Sequence, residues 1–264
     1  MTNERAHTQM VLLNSFRRGA GKSTLAANLA ALAHASGQRV GLVDTCFSAP
    51  ALHVFFGLYT QDNPASFNDF LSGRQALAET ALDVTGRLGL AGAGRLYLIP
   101  ASQRIEDRLA SLNYSYDLAQ LAESIQVLSR SLQLDLLVID SPAGVSENNL
   151  SLMALADIVL MTLRPEPMDF QGTAVLVDVA RRLDVPQLQL VLNDVATVYD
   201  IADLKTRTED ALDCPVAAVM PHDEGLLACG SSGLYALQPS VRWSRPWKDL
   251  IRTCMDVPEG SPKY

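Results

Sequence analysis

"SFRRGAGKST", residues 15–24, follows the apolar run "MVLLN" (10–14) and leads into "LAANLAALAHASG" (25–37). An apolar run, two closely spaced glycines and a lysine opening an alanine- and leucine-rich stretch describe a strand, a tight loop and a helix. Free backbone amides and the positive end of the helix dipole converge on an anion at such a point. Gly19 and Gly21 let the chain wrap closely around a phosphate. Lys22 suits the β- and γ-phosphate oxygens, and the Ser23 hydroxyl suits a magnesium ion. Arg18, Gly19, Ala20, Gly21, Lys22, Ser23 and Thr24 are therefore the candidate nucleotide-binding loop. The common spacing G-x-x-x-x-G-K-[ST] does not fit, because its first glycine would fall on Phe16.

Working outward, six more short apolar runs follow. They are "RVGLVD" (39–44), "RLYLIP" (95–100), "LDLLVID" (134–140), "DIVLMTL" (157–163), "LQLVLN" (188–193) and "PVAAVM" (215–220). Helix-like stretches lie between them, such as 22–37 and 172–184. Near-continuous apolar strands alternating with helices predict a three-layer α/β fold, a mostly parallel sheet with helices on both faces. Residues 60–95 and 101–115 are less regular and are expected to hold insertions and helices. The chain reads as a single domain over 1–264, with frayed ends at 1–8 and 258–264.

Composition narrows the classes. Of 264 residues 48% are hydrophobic and 19% charged, which supports a sizeable core and argues against disorder. A net charge of -8 argues against a broad nucleic-acid surface, leaving at most a local patch. Cys46, Cys214, Cys229 and Cys254 form no C-x-x-C pair, so no zinc finger or dithiol motif is indicated. No apolar leader or membrane-length run is seen, and the expected location is the cytoplasm.

Arg17-Arg18-Gly19-Ala20-Gly21-Lys22-Ser23 resembles the deviant loop [K/R]-G-G-x-G-K-[ST] of the MinD/ParA ATPases. "RVGLVDTCFSAPALHVFFGL" (39–58) resembles that family's D-x-D segment, and "LDLLVIDSPAG" (134–144) its Walker B strand and switch. "LVLNDV" (191–196) resembles the strand whose terminal asparagine contacts adenine, and "VMPHDEGL" (219–226) the loop packed beside the base. The motifs occur in family order from about residue 9 to about 255. The resemblance implies bound ATP or ADP with Mg2+, and an ATP-dependent homodimer. It also implies a regulatory or cargo protein partner and a role in positioning cell structures. It assigns magnesium to Ser23, Asp44 and Asp140, adenine contacts to Asn193 and Pro221, and catalytic parts to Lys22, Asp44 and Arg17, the last acting across the dimer.

Three departures bear on hydrolysis. Arg17 replaces the signature lysine, keeping the charge and adding a planar fork. Arg18 replaces a glycine, and its bulk either crowds a facing loop or reaches the partner's phosphates. Cys46 stands where the second carboxylate of D-x-D positions the attacking water, which predicts slow or partner-dependent turnover. Asp140 and Glu147 are the nearest acidic substitutes in sequence. A catalytically impaired nucleotide-binding scaffold is the rival reading. "VRWSRPWKDLIRTCM" (241–255), with Trp243 and Trp247, is basic and amphipathic; it is expected to pack on the sheet, with peripheral membrane contact as the alternative. Arg181 and Arg182 are the candidates for a DNA-facing patch.

Overall fold

All seven apolar runs form strands of one eight-stranded sheet in the computed structural model, which describes residues 7–58, 64–89, 94–111, 114–229, 233–238 and 244–255. The first half runs β1 (Gln9–Asn14), α1 (Lys22–Ala35), β2 (Arg39–Asp44), α2 (Leu52–Phe55), α3 (Phe67–Leu71), β3 (Leu82–Asp83), β4 (Arg95–Ile99), α4 (Ile105–Ala110) and α5 (Leu118–Leu132). The second half runs β5 (Leu136–Asp140), α6 (Glu147–Leu155), β6 (Ile158–Leu163), α7 (Pro167–Arg182), β7 (Gln187–Val195), α8 (Ile201–Leu212), β8 (Val216–Pro221), α9 (Glu224–Cys229) and α10 (Arg245–Met255). The strand order is β3-β4-β2-β5-β1-β6-β7-β8. Every pairing is parallel except that of β3, a two-residue antiparallel edge strand.

Alternation along β1 divides the core. Val11 and Leu13 face α1 and α10, packing with Leu25, Leu29, Trp247 and Leu250. Met10 and Leu12 face the other layer, with Leu152 of α6 and Leu176 of α7. α1 is buried around nearly its whole circumference, which its alanines permit by letting it lie close to the strands. Its one buried amide, Asn28, donates to the Thr24 carbonyl and accepts from the Ala236 amide.

α10 buries Trp247, Leu250 and Cys254 against α1 and β8, so its apolar face is used inside the fold. Trp243 and the tail 258–264 lie outside the described residues. No helix among the described residues is long and apolar enough to cross a membrane.

The irregular stretch after β2 is held by charge. Asp69 and Asp107 are buried, and Arg74 and Arg104 each bond to both carboxylates. The Ser66 hydroxyl adds a 2.6 Å bond to Asp69, and the Ser102 hydroxyl a 2.7 Å bond to Asp107. Burial pushes Asp69 up, but these donors outweigh it and hold the group down at about 2.

Candidate functional site

β1 lies inside the sheet between β5 and β6, so the loops leaving β1, β2 and β5 meet at one edge, where open α/β sheets place ligands. The loop after β1 takes its shape from glycine. Gly19 and Gly21 have φ of 84° and 95°, a left-handed backbone that side chains disfavour. Gly21 immediately precedes α1, and no side chain caps the helix start. The first-turn amides of α1 therefore stay available to an anion.

Lys22 is buried beneath this loop and its ammonium donates to Ser15 Oγ at 2.8 Å. Desolvation lowers its pKa, while the charge of Asp140 opposes that shift. Ser23 and Thr24 follow on the first turn of α1, half-buried. Ala20 is buried.

β2 and β5 pair in register at their ends, Asp44 opposite Asp140. Asp44 Oδ1 accepts from the Cys46 amide at 2.9 Å, and Oδ2 accepts from the Ala51 and Leu52 amides at 3.1 Å each. Asp44 thus folds the segment after β2 back over the site. Among the described residues no donor lies at ordinary hydrogen-bond distance from either oxygen of the fully buried Asp140. Burial and the nearby Asp44 charge push Asp140 up, against the pull of Ser23, Lys22 and Cys46. A buried carboxylate without donors calls for a proton or a cation, so this donor set fits a metal ion.

Cys46 joins the two aspartates. One ligand atom from each of Asp44, Cys46 and Asp140 lies within 4.8 Å of the others. Burial, with the two carboxylates beside it, drives the thiol far above its usual pKa. It is neutral near pH 7 and cannot take over a carboxylate's work on water. Glu147, the other acidic substitute, is exposed at the start of α6 and accepts from Ser115 instead. Below the Cys46 segment lies an aromatic floor missed in the sequence, with Phe47 stacked on Phe67 and Tyr116 edge-on to Phe67.

The two arginines point to different places. The Arg17 guanidinium bonds to Asp169 and Glu166 of its own chain, at the start of α7. Arg18 is exposed and donates to Ser48 Oγ at 3.1 Å; Arg108 of α4 reaches the carbonyl of the same serine. Asn193 donates its side-chain amide to the Ala20 carbonyl at 2.9 Å, so the end of β7 bears on the loop itself. Pro221, exposed, closes β8 opposite Val195. Beside it His222 meets Asp194 at 2.6 Å, and Asp194 also pairs with Arg164. The switch segment after β5 is tied to the loop by the Gly144 amide, which donates to the Ser15 carbonyl at 2.8 Å.

A glycine-shaped loop between a central parallel strand and a helix, with a buried lysine and facing aspartates, defines a phosphate-loop α/β protein. The chain belongs to the CobQ/CobB/MinD/ParA nucleotide binding domain family, whose model matches residues 11–235. It is 25% identical over 214 residues to an uncharacterised ATP-binding protein of Methanocaldococcus jannaschii, covering 81% of this chain and 74% of that one. It is 25% identical over 238 residues to the septum site-determining protein MinD of a Synechocystis species, covering 85% and 80%. Among solved structures, MinD of Pyrococcus horikoshii complexed with Mg-ADP superposes with a TM-score of 0.75 at 21% identity, over 94% of this chain and 96% of that one.

Proposed function

We propose that this protein is a MinD/ParA-like switch that binds Mg-ATP, dimerises with it and releases a partner or cargo after slow or partner-stimulated hydrolysis. The observation that carries the reading is the left-handed Gly19–Gly21 loop opening α1 directly above buried Lys22. Loop amides and Lys22 would hold the β- and γ-phosphates. Ser23, Asp44 and Asp140 would hold Mg2+, which would offset the charge of the phosphates. Asn193 and the backbone at Pro221 would flank adenine, which requires Asn193 to turn from the Ala20 carbonyl. Arg17 would leave Asp169 and Glu166 to reach the partner's nucleotide, an ion-pair exchange that links dimerisation to α7. Positioning of cell structures is supported by the septum-site relative.

A second reading is favoured by Cys46. With a neutral thiol in the water-positioning place, the protein would be a nucleotide-bound scaffold without turnover. Light-scattering mass with ATP, with ADP and with neither tests the switch. A dimer with ATP alone is expected; one mass in all three states contradicts it. Phosphate release with and without cell extract then separates switch from scaffold.

A further inference from the structure

We infer that Asp44, Cys46 and Asp140 form a binding site for a borderline-soft divalent cation, held through the Cys46 sulfur and available without nucleotide. Three observations carry this. The three ligand atoms converge within 4.8 Å from the ends of two paired strands. Donor atoms held at 2.0–2.3 Å around a three- or four-coordinate cation stand about 3.5 Å apart, so the three side chains must draw together by about 1 Å to close the set. Asp140 is fully buried, and among the described residues neither of its oxygens has a donor at ordinary hydrogen-bond distance, Ser23 and Cys46 standing near it. Asp44 Oδ1 accepts only one amide, which leaves it a lone pair, whereas Oδ2 is filled by two.

Charge balance agrees. With metal bound, both carboxylates deprotonated and Cys46 as thiolate, the ligands and the Lys22 ammonium sum to two negative charges. A dication neutralises that set, the thiol proton leaving to buffer as the metal–sulfur bond forms. Sulfur decides the metal class. Mg2+ takes hard oxygen ligands, whereas Zn2+, Co2+ and Cd2+ accept mixed sulfur and oxygen sets. A D-x-D carboxylate at position 46 would give an all-oxygen site, so the preference belongs to this chain's own cysteine. The inference does not depend on nucleotide binding.

The test is a Co2+ titration of the nucleotide-free full chain, read as the sulfur-to-cobalt charge-transfer band. Wild type is expected to develop the band, Cys46→Ser to lack it, and Asp140→Asn to need at least about tenfold more Co2+. No band in wild type overturns the inference. So does a band that survives in C46S, which would come from Cys214, Cys229 or Cys254, or one indifferent to D140N. Should C46S misfold by circular dichroism, cadmium NMR of the wild type decides. A resonance typical of one sulfur with oxygens supports the site, and an all-oxygen resonance overturns it.

Discussion

Phe16 lays its ring over the backbone of Gly172, so that a Cβ on that glycine would stand 1.9 Å from the ring's Cγ. The phosphate loop thereby leans on the middle of α7. A mid-helix glycine costs about 1 kcal/mol against alanine, and here that cost makes room for the ring. Gly172→Ala is expected to destabilise the protein, since overpacking at about 1–3 kcal/mol outweighs the propensity gain. In a Phe16→Ala background the same change should stabilise instead. Denaturant midpoints around the four-variant cycle check the reversal of sign.

Arg17 meets Asp169, which is 2% exposed and also accepts from the Arg164 amide at 2.8 Å. Asp169→Asn should lower the urea midpoint, because a charge-assisted pair becomes a weaker neutral one. Arg17→Lys should lose less, keeping the charge without the fork that serves two carboxylates. If Arg17 also acts across the dimer, Arg17→Ala will remove the ATP-dependent mass increase while Mg-ATP still binds.

Cys46→Asp should raise ATP turnover by at least about tenfold, about 1.4 kcal/mol of barrier, by restoring a charged group where the thiol is neutral. Steady-state phosphate release checks it. An unchanged rate would place the hydrolytic deficit elsewhere.

Asp140 gives a pH signature. Burial and the Asp44 charge hold its folded pKa above the unfolded value of 3.8, and Asp44, buried beside it, is raised with it. Between those values the folded state binds the extra proton, so stability falls as pH rises through that window. Asp140→Asn should therefore be more stable than wild type at pH 8 without ligand, with the advantage fading as pH falls toward 4. Urea melts across that range measure it.

The sheet was legible because strands buried on both faces read as unbroken apolar runs, and all seven appear within a residue or two of their expected bounds. β3 was not, since two residues carry no period. The helix expected over 172–184 begins earlier, at Pro167, where proline suits a first turn. At the site, Lys22 could be named from the glycine loop opening a helix, and Asp44, Cys46 and Asp140 from the resemblance of their segments to the family's motifs. Several side-chain pairings around the loop could not, even where a member such as Arg17 or Asn193 was itself named. Asp169 lies 152 residues from Arg17, and Asn193 lies 173 from Ala20. Nothing local announced Ser15 under Lys22 or the ring of Phe16 on Gly172.

Isothermal titration with ATP and magnesium, on wild type and Lys22→Ala, bears most directly on the phosphate loop. Wild type should bind about one nucleotide per chain, and the variant should bind at least about tenfold more weakly, a loss of about 1.4 kcal/mol or more. No heat of binding in folded wild type, or equal affinity in the variant, would contradict a triphosphate held by this loop.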